Sequence, residues 1–289
     1  MLVNENRASL REHQEACLVI LKEFDRVCKL LNIRYFLFAG TLLGTIRHKG
    51  FIPWDDDLDV LMLRSDYEKF LSNAETLIDK EVFYLQKEFS CHWPMFFSKL
   101  RLNNTTCLEK YYAKDPEEHH GIYIDIFPCD NAANTSFGRR LQFVSSKIII
   151  AKSLYKRGYE TKSIIKKTFM LLCRFIPQKP FLKIVKGLSS NSEYLHTFFA
   201  AASDFNKNVI KKSVFEDSIV TDFEDSRFLI PKGYHELLTK MYGDYMLIPD
   251  ENDRTKKKHA VFVDTKNSYE KYRDFHNNLK FNNYTKSIR

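Results

Sequence analysis

Four aspartates lie within five residues at the start of an apolar stretch, in the order Asp55, Asp56, Asp57, Leu58, Asp59. Side chains alternate along a strand, so Asp57 and Asp59 are predicted to share one face, with Asp55 on that side and Asp56 turned away. Carboxylates on one face can share hard divalent cations, and without a cation their mutual repulsion costs stability. The pattern predicts a site for Mg²⁺ or Mn²⁺, with about two ions. The competing interpretation is a solvated acidic loop.

A further carboxylate, Asp125, lies among large apolar residues in the most strand-like run of the chain, 121–128. A buried carboxylate needs either a cation or several hydrogen-bond donors. We expect its strand to neighbour that of Asp57 and Asp59, so that Asp125 completes the same metal site. A structural carboxylate held by backbone N–H groups is the alternative, and a role as general base is also open.

Gly40 and Thr41 follow a short apolar run and precede the aspartates by some fifteen residues. Glycine lets the backbone approach a phosphate, and threonine adds a hydroxyl group and an N–H group. We therefore interpret this segment, through Gly44, as a phosphate-binding turn. It matches neither the P-loop nor the dinucleotide-binding fingerprint.

Basic side chains that could bind the phosphates occur in two places. Arg47 and Lys49 lie between the glycine turn and the aspartates, whereas Lys99 and Arg101 are two residues apart in a strand-like run and face one way. Arginine suits bidentate phosphate contacts and lysine a point-charge contact. A solvated strand face is the alternative for Lys99 and Arg101.

The elements that must position these residues follow from hydrophobic periodicity. Apolar residues three and four apart, or alternating, predict a mixture of helices and strands without a regular βαβ repeat, hence an α+β or mixed α/β fold. A Ser65–Glu68 capping box predicts the start of the second helix. Helices are predicted at 5–32, 65–79, 136–188 with breaks at Gly158 and 177–180, and 233–241; strands at 34–39, 58–63, 82–86, 96–102, 105–111, 121–128 and, as strand or hairpin, 219–230.

Composition excludes several classes of protein. Of the 289 residues 44% are hydrophobic and 28% charged, which is typical of a globular protein and not of a disordered chain. The six cysteines show no C-x-x-C spacing, so reduced thiols are expected. No signal peptide or membrane-spanning run is found, and we expect a cytoplasmic protein, either free or peripheral on the inner face of the membrane.

The basic character of the chain is concentrated in residues 139–186, which contain thirteen Lys or Arg and one acid, Glu160. Basic and apolar positions alternate there at helical spacing. Such a helix can lie on an anionic membrane surface, or it can be a core helix with a solvated basic face. Nucleic-acid binding is not expected, because no recognised motif supports it.

Together these residues resemble the LicD family of phosphotransferases, which is related to the fukutin and fukutin-related group. The resemblance is carried by Phe38–Val60, Ile124–Pro128, Ile230–Tyr234 and Tyr242–Met246. It implies a nucleotidyltransferase-like core sheet flanked by helices. It also implies metal binding by Asp57, Asp59 and Asp125, with Asp55 close by, and donor phosphates beside Gly40 and Thr41.

The implied activity is transfer of phosphocholine, or of a phospho-polyol such as ribitol or glycerol phosphate, from a CDP-activated donor to a hydroxyl of a cell-surface glycan or its lipid-linked precursor. The cysteine zinc site of the fukutin-related proteins has no counterpart in this sequence, so no zinc is expected. Two rivals remain: a nucleotidyltransferase that moves NMP from NTP to a small molecule such as an aminoglycoside, and a non-catalytic membrane-binding module.

The expected domain organisation has a catalytic core in residues 1–135 and a basic helical insertion in 136–190. The rest of the catalytic domain follows in 191–250, and a polar, weakly ordered tail in 251–289.

Overall fold

A computed structural model describes residues 7–109, 115–187, 192–200, 204–251 and 258–273 of the chain. The predicted positions 5–6, 110–111 and 188 lie outside these residues. Within them the fold is a mixed α/β arrangement, as the sequence predicts. The helices are α1 (Leu10–Leu30), α2 (Ala39–His48), α3 (Arg64–Asn73), α4 (Ser136–Arg157), α5 (Ile164–Cys173), α6 (Gln178–Lys186) and α7 (Tyr234–Tyr242). Short 3-10 helices occupy Ala74–Thr76, Asn206–Asn208, Lys212–Phe215 and Tyr269–Tyr272.

The strands in these residues form one main sheet and two smaller ones. They are β1 (Phe36–Leu37), β2 (Asp59–Leu63), β3 (Phe83–Gln86), β4 (Ser98–Leu102), β5 (Thr106–Glu109), β6 (Tyr123–Asn131), β7 (Tyr194–His196), β8 (Val209–Lys211), β9 (Ser218–Phe223), β10 (Ser226–Pro231) and β11 (Ala260–Asp264). The main sheet runs β1-β2-β6-β4-β3, and β7 and β8 extend it from the end of β6. The β2–β6 pair is parallel and the other pairs are antiparallel.

Helix α1 covers the sheet with the apolar face that its periodicity predicts. Ile20, Leu21 and Phe24 are fully buried in the main core. A capping box fixes the start of the helix, because the Ser9 hydroxyl accepts from Glu12 N–H and the Glu12 carboxylate accepts from Ser9 N–H. The capping box predicted at Ser65 is wrong: α3 begins one residue earlier, and no side chain caps it.

The segment after β1 is an α-helix, α2, and not the predicted turn. Leu42 and Leu43 are buried in the main core, and packing of this face outweighs the low helix propensity of Gly40 and Gly44. Gly44 is needed because a Cβ atom there would lie 2.4 Å from the Gly50 carbonyl oxygen. The strand predicted at 34–39 accordingly shortens to β1.

The segment predicted as a weakly ordered tail contains strand β11, which pairs antiparallel with β5. Phe262 is buried there against Leu108 and Tyr272. The tail prediction is therefore wrong for these residues, because burial of one apolar cluster outweighs the polar composition around it. In the part of the chain that is described, no helix is long and apolar enough to cross a membrane.

Candidate functional site

The backbone of Asp59 is held from three directions at the start of β2. Its N–H group donates to Thr41 Oγ1 at 2.8 Å, and its carbonyl oxygen accepts from Phe38 N–H at 3.0 Å. On the other side, Asp125 N–H donates to the Leu58 carbonyl oxygen at 2.9 Å. Strand β1, helix α2 and strand β6 thus fix the position of one carboxylate.

The aspartates alternate as strand geometry requires. Asp55, Asp57 and Asp59 are half-buried, whereas Asp56 is buried. The Asp56 carboxylate turns away and accepts from the backbone N–H group of His259 at 2.9 Å and from that of the next residue at 2.9 Å. This geometry agrees with the expectation that Asp56 does not bind the metal, since its carboxylate oxygens bind the backbone at the start of β11.

Asp125 lies directly beside Asp59, because the two residues are register partners in the parallel β2–β6 pair. On its other side Asp125 is the register partner of Lys99 on β4. Lys99 Nζ lies 3.1 Å from Asp125 Oδ1 and 3.5 Å from Glu109 Oε1. Asp125 therefore lies between a carboxylate and a buried ammonium group.

Burial and like charge raise the pKa values of these carboxyls. Burial raises the pKa of Asp59 well above its usual value, and the charges of Asp57 and Asp125 raise it further. Burial also raises the pKa of Asp57, opposed chiefly by His259, and the pKa of Asp125, opposed by Lys99. A divalent cation would relieve this repulsion, because it favours the ionised form of every carboxylate near it.

The donor chemistry of the cluster fits a hard divalent cation. The buried Oδ1 atom of Asp125 receives no hydrogen bond from the described residues, although Lys99 Nζ lies close to it. In the present side-chain orientations, no three acidic, histidine or cysteine side chains of the described ranges converge closely enough to hold an ion. A cation at this site would therefore require the carboxylate side chains to rearrange.

Gly40 and Thr41 lie in the first turn of α2, next to the aspartates. A Cβ atom on Gly40 would lie 2.6 Å from Asp55 Oδ2, so a larger residue at this position would displace that carboxylate. Phe38 at the N-cap makes no side-chain cap hydrogen bond, and Ala39 adopts a left-handed φ of 47°. The first N–H groups of a helix lack intrahelical partners and attract anions. The backbone N–H groups that are predicted to bind phosphate therefore belong to a helix N-terminus and not to a turn.

Arg47 and Lys49 lie at the opposite end of α2, about 10 Å from Thr41 along the helix axis. Arg47 donates to the carbonyl oxygens of Tyr245 and Leu247, at 3.2 and 3.1 Å. Lys49 is exposed at the C-cap, where its carbonyl oxygen accepts from the N–H group of a residue in the β9–β10 turn. Helix formation thus separates these cations from the Gly40–Thr41 backbone, and their role toward phosphates stays a prediction.

Lys99 and Arg101 face one way, as predicted, but into the core. Both lie over the Tyr123 ring, with Lys99 Nζ 3.1 Å from its centroid. Arg101 is fully buried and donates to the Gln86 side chain and the Gly121 carbonyl oxygen. The prediction that they contact donor phosphates is corrected here: Arg101 is enclosed, and Lys99 is held by Asp125 and Glu109. Carboxylates on β6 and β5 pair with the Lys99 charge that the sequence alone suggested for ligand binding.

Two residues at the site were missed from the sequence. His259 Nε2 lies 3.3 Å from Asp57 Oδ2, at the entry to β11. Tyr242, at the end of α7, has the pKa of its phenol raised by burial and further by the charges of Asp59 and Asp55. The strand-like run 260–264 was the signal that could have found His259. Tyr242 lies in a segment that carries the family resemblance, Tyr242–Met246, but a resemblance does not tell which side chains lie beside the aspartates.

The chain is similar to several known proteins. Residues 32–156 match the family model of the LicD/FKTN/FKRP nucleotidyltransferase domain. The lipopolysaccharide cholinephosphotransferase LicD of Haemophilus influenzae is 29% identical over 269 residues, which cover 86% of this chain and 95% of that protein. Uncharacterized proteins of Rickettsia prowazekii and Rickettsia typhi are each 43% identical over 47 residues, or 16% of this chain and 18% and 15% of theirs.

Proposed function

Because the chain belongs to the LicD family, we propose that it transfers phosphocholine, or a phospho-polyol such as ribitol or glycerol phosphate, from a CDP-activated donor to a hydroxyl group of a cell-surface glycan or its lipid-linked precursor. The observation that carries the proposal is the register of Asp59 and Asp125 on adjacent parallel strands beside the N-terminus of α2. The name of the Haemophilus relative supports the choice of head group and acceptor class.

The donor's diphosphate would lie between the aspartates and α2. Asp57, Asp59 and Asp125, with Asp55 beside them, would hold Mg²⁺ or Mn²⁺, which supplies charge neutralisation for the diphosphate. The backbone N–H groups around Gly40 would bind a phosphate oxygen. Thr41 acts indirectly, because its hydroxyl holds the Asp59 backbone and thereby orients the carboxylate.

The reaction is a displacement at the phosphorus atom that carries the head group. The acceptor's hydroxyl oxygen forms a new bond to this phosphorus, the bond to the bridging oxygen breaks, and CMP leaves with that oxygen. The acceptor's proton passes to a carboxylate of the site, for which we propose Asp125, the carboxylate that lies beside Asp59 in the parallel β2–β6 pair. Positioning and charge neutralisation supply most of the catalysis in such transfers.

The test is incubation of the protein with CDP-choline, CDP-ribitol, CDP-glycerol and plain nucleoside triphosphates, in separate reactions with a glycan acceptor and Mg²⁺. Release of CMP with labelling of the acceptor supports the proposal, and its loss in EDTA supports the cation. Release of pyrophosphate from a triphosphate would identify a nucleotidyltransferase instead. Absence of both products, together with unchanged cation affinity in Asp59→Asn, would favour a non-catalytic module.

A further inference from the structure

Helix α5 exposes an apolar surface that no described part of the protein covers. Of its ten residues only Met170 and Cys173 are buried, and they pack against Ala151 of α4. On the outer side, Ile164 and Ile165 are 80% and 84% exposed. Large apolar side chains are seldom exposed in such a group on a soluble surface. The further exposed apolar residues here are Phe169, Leu171, Leu172 and Phe175.

The exposed and buried residues lie on opposite sides of the helix. At about 100° per residue, Ile164, Ile165 and Leu172 fall within one arc, and Met170 and Cys173 fall within the opposite one. The exposed apolar arc is therefore a continuous face and not a scatter of single residues. We call it the outer face of α5.

Helix α4 adds a stripe beside this face. Phe137, Leu141 and Val144 follow one another at spacings of four and three, and they are 79%, 45% and 55% exposed. Such spacing places them on one side of the helix. Ile148, one turn further, packs against the α4–α5 cluster, so the stripe leads toward α5.

The charged residues around the outer face are all basic. Lys162, Lys166, Lys167 and Arg174 are exposed on or beside α5, and residues 161–187 contain no acid. Lys152 donates from α4 to the carbonyl oxygens of Arg174 and Ile176, and so ties the end of α5 to α4. A partner for this surface must be apolar and anionic together.

We propose that the outer face of α5, with the α4 stripe, docks on the surface of an anionic lipid membrane. The apolar side chains enter the headgroup boundary while the lysines contact lipid phosphates. A helix of ten residues is about 15 Å long, about half of the hydrocarbon thickness, so it lies on the membrane and does not cross it. A second copy of the chain fits less well, because residues 161–187 of each copy carry basic side chains and no acid that could pair with those of the other copy.

The test uses the full-length protein and vesicles of two compositions: phosphatidylcholine alone, and phosphatidylcholine with phosphatidylglycerol. Co-sedimentation is expected with the anionic vesicles at about 0.1 M salt and should weaken at about 1 M, where charges are screened within about 3 Å. Ile165→Glu and Leu172→Glu should each lower the partition coefficient by about tenfold or more, because an apolar contact is lost and a charge is repelled. The matched control is Val220→Glu on β9, which is 52% exposed far from α5 in the sequence and should bind as the wild type does.

Circular dichroism checks that the variants remain folded, as we expect because the substituted side chains are exposed. Equal binding by Ile165→Glu and the wild type would overturn the proposal, as would failure of the wild type to bind anionic vesicles. Sedimentation velocity tests whether a second copy of the chain binds this face instead. A wild-type dimer that dissociates in the Ile165→Glu variant would show that the face joins two copies. This result is independent of the proposed transferase activity, since vesicle binding needs neither donor nor acceptor.

Discussion

Replacement of Lys99 by methionine tests whether the buried ion pairs hold the site together. The Lys99 side chain is 2% exposed, and its ammonium group lies 3.1 Å from Asp125 and 3.5 Å from Glu109. Removing one partner of a buried ion pair leaves an uncompensated charge and costs about 3–5 kcal/mol. The same change at Lys22, whose pair with Asp225 is largely exposed, should cost about 0–1 kcal/mol.

The measurement is urea unfolding of Lys99→Met and Lys22→Met beside the wild type, with Lys99→Arg as a variant that keeps the charge. Methionine has nearly the volume of lysine, so a large cavity does not confound the result. Equal stability losses in Lys99→Met and Lys22→Met would show that the buried Lys99 pairs stabilise the fold no more than an exposed pair does.

Three further predictions concern the aspartates. Thr41→Val should lower the free energy of unfolding by about 1–3 kcal/mol and reduce activity, because Asp59 N–H loses its hydrogen-bond acceptor. Thr41→Ser keeps the hydroxyl group and should retain both. Urea unfolding and transfer assays measure the two properties. Asp56→Ala should speed amide hydrogen exchange at His259 and Ala260, which donate to its carboxylate; unchanged exchange would contradict that anchoring role. The third variant is Asp59→Asn, at a carboxyl whose pKa is raised in the folded state. As the pH rises from acid, the unfolded chain loses this proton first, so the wild type loses stability with rising pH in EDTA. Asp59→Asn should therefore have a higher melting temperature than the wild type at pH 7 in EDTA. The difference in melting temperature should vanish below the usual aspartate pKa. A difference that stays constant with pH would show that ionisation of Asp59 is not its cause.

The strands of the site could be predicted from the sequence, because β2 and β6 are apolar runs in which single carboxylates stand out. Alternation also separated Asp56 from Asp57 and Asp59, as the structure shows. Their exact pairing could not be predicted, since periodicity specifies a face but not which residue of another strand lies opposite. The register of Asp59 with Asp125 is a tertiary property.

The errors have a common physical origin in packing that local sequence does not encode. Gly40 and Gly44 predict a turn, yet the segment forms helix α2, in which the close approach of the Gly50 backbone requires Gly44. Strand β11 was missed because its flanks are polar and its partner is distant in sequence. Lys99 was assigned to phosphate because the carboxylates that bind it lie on other strands.

We propose that Asp59 and Asp125 form the catalytic cation site of a CDP-dependent transferase. The most direct measurement is the rate of CMP release from CDP-choline with a glycan acceptor and Mg²⁺, for the wild type, Asp59→Asn, Asp125→Asn and the exposed control Asp225→Asn. Loss of several kcal/mol of charge stabilisation corresponds to about a hundredfold or more in rate, so both site variants should fall at least that far while Asp225→Asn keeps wild-type activity. Release of CMP at the wild-type rate by folded Asp59→Asn and Asp125→Asn variants would show that these carboxylates do not form a catalytic cation site.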